Sequence, residues 1–503
     1  MSLSIVLTRA QMGVDAPQVI VETHISNGLP SLSIVGLPET AVRESKDRVR
    51  SALINSGFEF PSRRVTINLA PADLPKQGGR YDLAIALGIL VATGQMAAGA
   101  IAGYEFLGEL ALTGDIRPIP GVLPAVIASQ KAGKKVCVPV ANVDEASIVE
   151  KGEVYGFRHI TQLCDHVLGK ALESPAKFAP SKTDNAARLD MTDIRGQLLA
   201  RRALEVSASG GLNLLFFGPP GTGKSMLAAR MPSILPGLTR SEALEVASLY
   251  SIVGHAAQQD LFDRPFRSPH HTASAVALVG GGSYPKPGEV SLAHKGVLFL
   301  DELPEFGRKA LEVLREPIES ARVSISRANA VIEFPAEFQL LSAMNPCPCG
   351  YLGHPKIPCT DTPQQIQNYR KKLSGPLLDR FDMHVEVPYQ AANILLSSVD
   401  ASESSADILA RVEQARAIQY QRQGKLNNTL KAPELAKYCP LSCELKEKLE
   451  MTMERFAMSA RGVHRLIRVA RTLADLGGSA SIETGHITEA LAYRALDRDV
   501  SLS

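Results

Sequence analysis

No apolar stretch in this 503-residue chain approaches the roughly 20 residues that a helix needs to cross a bilayer, so no helical membrane span is expected. The opening segment has no basic start followed by a long apolar core, and no secretory signal is read there. Seven cysteines are too few for a disulfide scaffold at this length, which points to a reduced, cytoplasmic protein. An excess of one charge is also missing. Lys and Arg number 54 against 52 Asp and Glu, a formal net charge of +2, so any surface for nucleic acid must be local rather than global. No internal repeat is found. What remains is an ordinary soluble composition, 45% hydrophobic and 21% charged, in a chain long enough for about two to four domains.

Residues 1–168 read as alternating strands and helices. Strands are expected at 18–24, 31–35 and 65–69, and helices at 39–55 and 81–92. A polar stretch rich in Pro, Ala, Ser and Lys suits a linker over 169–189. An α/β pattern then fills 190–392. The remainder, 393–503, turns helical, with segments at 405–423, 442–458, 463–476 and 484–496. The class is therefore α/β and multidomain.

The most informative stretch is Gly218-Pro219-Pro220-Gly221-Thr222-Gly223-Lys224-Ser225. It follows the apolar run 212–217 and precedes a helix-like segment beginning at Met226. Strand, glycine loop and helix in that order form the context of a phosphate-binding loop. Glycines let backbone N–H groups turn inward around an anion, and the helix N-terminus adds partial positive charge. Lys224 can reach terminal phosphates, and the Ser225 hydroxyl can complete a Mg²⁺ shell. A second buried-strand run, 296–300, ends in Asp301-Glu302. Asp301 would hold Mg²⁺ through water and Glu302 would polarise the attacking water, the two acidic roles a hydrolytic ATPase needs. The plain alternative is a solvated loop start.

Together with Met344-Asn345-Pro346 and Leu377-Leu378-Asp379-Arg380-Phe381-Asp382, these motifs resemble an AAA+ ATPase of the magnesium-chelatase clade, and within it the bacterial competence-associated ComM/YifB group. The resemblance covers essentially the whole chain. It implies a P-loop AAA+ α/β core, a C-terminal helical lid and a hexameric ring with ATP sites between subunits. Asn345 matches a sensor that helps orient the hydrolytic water. Arg380 matches an arginine finger reaching a neighbour's γ-phosphate, against the alternative of a helix-end arginine paired to Asp379 or Asp382. Arg461 resembles a second sensor arginine from the lid. With Arg465 and Arg468 it falls on one helix face, for which a solvated basic face is the alternative.

Residues 68–84 and 108–121 resemble a Lon-protease-like domain of the ribosomal-S5 type. Such a protease needs a serine activated by a lysine. Here the two positions fall on Arg80 and Leu123, so peptidase activity is not expected. Arg43, Lys46, Arg48, Arg50, Arg63, Arg64 and Lys76 offer phosphate contacts, although Glu44 and Asp47 on the same helix also suit a mixed-charge solvated face.

Two insertions fit the clade's substrate hairpins. The loop within 277–292 carries Lys286, and a β-hairpin over 322–334 carries Arg322 and Arg327, turning at 328–330. Lys286, Arg322 and Arg327 are the candidates for contacting a DNA backbone, with little expected sequence preference. Cys347, Cys349, His354 and Cys359 form a chemically sensible Cys₃His zinc set, with free structural thiols as the alternative. The resemblance implies a fourth cysteine soon after the third, where this chain has Asp361. The remaining cysteines, Cys137, Cys164, Cys439 and Cys443, are expected simply to be packed.

The resulting reading is a hexameric ATPase using ATP and Mg²⁺, with zinc as a further candidate. It would move along single-stranded, forked or branched DNA and promote branch migration during transformation and recombination, with recombination proteins as partners. An ATP-driven motor for metal insertion or protein remodelling, of magnesium-chelatase type, is the alternative. A nucleotide-gated DNA scaffold without turnover is a further one.

Overall fold

The computed structural model describes residues 2–178, 189–254, 260–282, 284–327, 330–390, 403–456 and 458–496. Residues 179–188 of the expected linker and the expected boundary at 392 lie outside them. No helix among the described residues is long and apolar enough to cross a membrane.

The N-terminal sheet is built on Gln18–Ser26, whose buried and half-buried residues alternate because Val19, Val21 and Ile25 share one face of the pleat. This strand pairs antiparallel with Ser2–Arg9 on one side and Arg64–Ala70 on the other. Seven strands follow the order 31–35, 64–70, 18–26, 2–9, 104–106, 135–139 and 154–157. The helix Asp82–Ala92 lies against the strands 2–9 and 18–26 and is buried at every position but Val91. A helix this apolar all round belongs inside. Close packing depends on Gly88, where a Cβ would sit 2.5 Å from Thr23 Oγ1. The helix expected over 39–55 divides at Glu44 into Thr40–Arg43 and Ser45–Asn55. The second piece sets Ser45 and Arg48 over the buried carboxylate of Asp82.

A second sheet of five strands is wholly parallel, in the order 266–267, 297–300, 339–344, 214–217 and 383–386. Val297–Leu300 and Gln339–Met344 are buried along their whole length, as strands covered on both faces must be. Parallel strands end on one edge. Phe217, Leu300 and Met344 therefore deliver the residues that follow them to a common crevice.

The C-terminal region is helical, with Ser405–Gln423, Cys443–Phe456, Ala460–Leu476 and Thr484–Ala492 near their expected places and Ala432–Tyr438 in addition. Arg465 on the long helix Ala460–Leu476 donates to the carbonyl of Phe381 at 3.3 Å. Arg494 reaches the same carbonyl at 3.0 Å. The helical region is thus tied to the turn that carries Arg380.

The N-terminal part is joined to the helix Arg240–Val253. Gly121 N–H donates to the Ser251 carbonyl at 2.8 Å, and Leu123 N–H to the Ser251 hydroxyl at 3.2 Å. The Arg240 guanidinium lies 5.6 Å over the Phe178 ring. Leu244 and Ala247 pack on the apolar cluster that includes Val122, Val126 and Val149.

Candidate nucleotide site

The glycine loop follows the buried strand Leu214–Phe217 and opens the helix Lys224–Ala229. Gly221 and Gly223 have φ of +74° and +88°, and a Cβ on either would meet nothing within 4 Å. Backbone conformation, not crowding, requires glycine there, and the space in front of the loop is open. Lys224 is buried, and its ammonium donates to the Gly218 and Pro219 carbonyls at 2.7 and 2.8 Å and to Asn345 Oδ1 at 3.3 Å. Burial pushes its pKa down to about 8, partly offset by the charges of Asp301 and Glu302. A buried ammonium held only by neutral oxygens is a fitting receptor for a phosphate. Gln197 secures the loop from behind, its amide donating to the Thr222 carbonyl at 3.2 Å and the Pro388 carbonyl at 2.9 Å. Met226 is half exposed beside the loop.

Across the crevice, the Ser225 hydroxyl donates to Asp301 Oδ2 at 2.5 Å, so the two oxygens that Mg²⁺ would share are already adjacent. Asp301 Oδ1 accepts the Glu302 N–H at 2.9 Å. Glu302 has φ of +51°, an uncommon conformation for a residue with a side chain, of the kind that gathers at functional sites. Its carboxylate lies 3.2 Å from His271 Nδ1, and the His270 ring packs against His271 at a tilt, centroids 4.1 Å apart. His271, like Gln197, was not foreseen from sequence. The signal available was two adjacent histidines just beyond the short strand Phe266–Arg267, which neighbours the strand ending at Leu300.

Arg380 is buried in an ion pair with Glu319 at 2.5 Å, not with Asp379 or Asp382. Its Nη1 donates to the Pro376 carbonyl at 2.9 Å and its Nε has no partner among the described residues. The pair lines a pocket of about 440 Å³ with Glu312, Arg315, Glu316 and Ser320. Asp382 instead accepts the Asn213 N–H at 2.9 Å. Arg461 is exposed near the start of its helix, with no polar partner among the described residues. Arg465 and Arg468 turn inward, the latter onto the Leu430 carbonyl, so the three arginines do not form the solvated basic face weighed from their spacing.

The expected loop at 277–292 becomes the short helices Ala275–Val279 and Glu289–Leu292 around a small antiparallel pair of Gly280–Gly281 with Lys286–Pro287; Ser283 lies outside the described residues. Lys286 is exposed. The hairpin pairs Arg322–Arg327 with Ala330–Pro335, and Arg322 contacts Glu333 at 3.5 Å; Ala328 and Asn329 at the expected turn lie outside the described residues. Arg48 and Lys76, expected as phosphate contacts, are instead engaged within the protein. Arg48 pairs with Asp82 at 2.8 Å, and Lys76 is buried with its ammonium on the Pro71 carbonyl. Cys443 is exposed rather than packed. Cys347, Cys349 and Cys359 come together, but with Asp361 in place of His354. The His354 ring is engaged locally, accepting the Lys356 and Ile357 N–H groups at 3.1 and 2.9 Å.

Comparison with known proteins fits this geometry. Residues 190–395 match the family described as magnesium chelatase, subunit ChlI; residues 21–142 match subunit ChlI of Mg-chelatase, and 402–494 its C-terminal region. The chain is 50% identical to YifB of Escherichia coli (strain K12) over 500 residues, spanning 99% of this chain and 98% of that protein. It is 48% identical to competence protein ComM of Haemophilus influenzae over 510 residues, spanning 99% and 98%. The magnesium-chelatase 38 kDa subunit of Cereibacter sphaeroides is 24% identical over 333 residues, 61% of this chain and 91% of that subunit. The chain belongs to the ComM/YifB family, a competence-associated AAA+ group built from magnesium-chelatase ChlI-type domains.

Proposed function

We propose that this chain is a hexameric ATP-driven DNA motor that promotes branch migration in the cytoplasm during transformation and recombination, alongside recombination proteins. The observation that carries the ATPase is the meeting of Lys224, Asn345 and the Ser225–Asp301 pair at one edge of a parallel sheet. The DNA part rests on the ComM relationship and on Lys286, Arg322 and Arg327 in the two hairpin segments. Bound Mg·ATP supplies the electrophilic γ-phosphorus. Lys224 would exchange loop carbonyls for phosphate oxygens, Ser225 and Asp301 would hold the metal, and Glu302 with Asn345 would orient the attacking water. Arg380 completes a neighbouring subunit's site, and Arg461 closes the lid over its own. The N-terminal part serves as a Lon-like collar without a protease dyad. In support, Arg80 is buried with its guanidinium on Gln11 and the Pro120 carbonyl, and Leu123 is fully buried.

The deciding experiment is ATP hydrolysis with and without forked or three-stranded DNA, alongside Glu302→Gln and Arg380→Ala. DNA-stimulated turnover that both variants abolish supports the motor. Turnover indifferent to every DNA would move the reading to a chelatase-type motor for metal insertion or protein remodelling, in line with the 38 kDa subunit match. Function preserved in Glu302→Gln would favour a scaffold gated by nucleotide.

A further inference from the structure

Cys347, Cys349, Cys359 and Asp361 each bring a ligand atom to one point, all four within 4.8 Å of one another. The three Sγ–Sγ separations are 3.4, 3.5 and 3.6 Å. Asp361 Oδ2 lies 3.8 Å from Cys359 Sγ. Thiols are weak donors and weak acceptors, so this triangle gains little from its own contacts, and any one disulfide would leave the third sulfur over. Two metal–sulfur bonds of about 2.3 Å at a tetrahedral angle put their sulfurs about 3.8 Å apart. The triangle is therefore already close to the edge lengths of a single-ion site. An iron–sulfur cluster would hold its thiolates farther apart. Three soft thiolates with one carboxylate form a ligand set for zinc rather than for magnesium or calcium.

We propose that these four residues form a mononuclear zinc site, with Asp361 as fourth ligand, that braces the phosphate loop. The carboxylate is already oriented, since Asp361 Oδ2 accepts the Cys349 N–H at 2.8 Å, the kind of outer hydrogen bond that fixes a metal ligand. The alternative fourth ligand, His354, has its Nδ1 occupied by two backbone N–H groups and its ring against Tyr389, centroids 4.6 Å apart. The bracing contact is Gly350, which lies between the ligands with φ of +84°. A Cβ there would be 2.9 Å from Pro220 Cδ and 3.8 Å from Asn345 Cγ. The knuckle thus abuts both the loop that cradles phosphate and the side chain that touches Lys224. This bracing role rests on the nucleotide-site reading; the metal site itself does not.

The test measures metal content of the full chain purified under reducing conditions, then titrates chelated protein with Zn²⁺ alone and with Co²⁺ as a spectroscopic stand-in. One equivalent of zinc per chain and the visible bands of tetrahedral thiolate-bound Co²⁺ are expected. Cys359→Ser should lose the metal, Asp361→Asn should weaken it at least tenfold, and His354→Ala should leave it unchanged. Because Cys359→Ser could unfold, Asp361→Asn and Asp361→Cys carry the argument, the latter restoring or tightening binding. A chain that cannot be filled with zinc overturns the site. Equal weakening by His354→Ala and Asp361→Asn, or no weakening by Asp361→Asn, overturns Asp361 as ligand. Chelation should raise KM for ATP several-fold, with recovery on adding zinc back; unchanged ATP binding overturns the brace. Stoichiometric zinc in a chain that hydrolyses no ATP would instead refute the nucleotide reading and leave the metal site standing.

Discussion

Arg380 Nη2 lies 2.5 Å from a carboxylate oxygen of Glu319, with the arginine side of the pair buried and the glutamate side facing solvent. An arginine held this way cannot reach another subunit until the pair opens. Glu319→Gln should raise turnover a few-fold at limiting protein concentration, read as steady-state ATP hydrolysis. Arg380→Ala should cost roughly 1,000-fold or more, the scale of a lost arginine finger. Mixing Arg380→Ala with Lys224→Ala chains should restore part of the activity. No restoration on mixing would place the role of Arg380 within its own chain.

The contact between His271 and Glu302 makes a separate forecast. His271→Ala should lower kcat about tenfold while KM for ATP stays put, because the imidazole touches the carboxylate that would orient the water. His271→Gln, which keeps a donor in reach, should recover most of the loss. An equal rise in KM would show that the histidine supports binding instead.

Lys224 gives a pH signature. Its folded pKa near 8 lies below the ordinary lysine value of about 10.4, so between those pH values the unfolded chain holds a proton that the folded one has lost. Stability without nucleotide should therefore rise with pH across that window, and the contribution should be lost as pH falls through 8. Lys224→Met should lack this component in paired thermal melts. Saturating ATP should flatten it, since bound phosphates favour the ammonium.

Lys286 and Arg322 are testable through salt. If each meets a DNA phosphate, Lys286→Ala and Arg322→Ala should each lower the slope of log affinity against log salt by about 0.7 to 0.9. Sequence preference should not change. An unaltered slope removes that residue from the DNA surface.

Gly350→Ala combines an unfavourable positive φ with a 2.9 Å approach to Pro220 Cδ. We expect weaker ATP binding by calorimetry and a loss of about 1 to 2 kcal/mol in stability. Full retention of ATP affinity would show that the knuckle and the phosphate loop move independently.

Local features of the site were readable in advance because they are written in consecutive residues: the glycine spacing before Lys224 and the apolar strand before Asp301. Tertiary partners were not. Glu319 lies on the separate helix Arg315–Ser320, and Gln197 reaches Pro388 across most of the ATPase segment. His354 shows the reverse difficulty. Its spacing suits a metal ligand, but its ring nitrogen is claimed by a turn whose geometry the spacing does not reveal. Charge patterns misled where burial intervened, as with Lys76 and Arg465, and where a backbone carbonyl claimed the guanidinium, as with the half-buried Arg468 on Leu430.

The joint between Gly121 and Ser251 uses an amide and a carbonyl of the main chain, so no side chain is needed to make that bond. Substitution at Ser251 leaves the carbonyl in place, whereas position 121 is held to glycine by a φ of +70° and by Gln11 Oε1, which a Cβ would meet at 2.6 Å. The seam can therefore persist while the side chain at 251 and those around it drift, provided glycine stays at 121. Comparing sequences for paired changes across the seam would miss its most durable element.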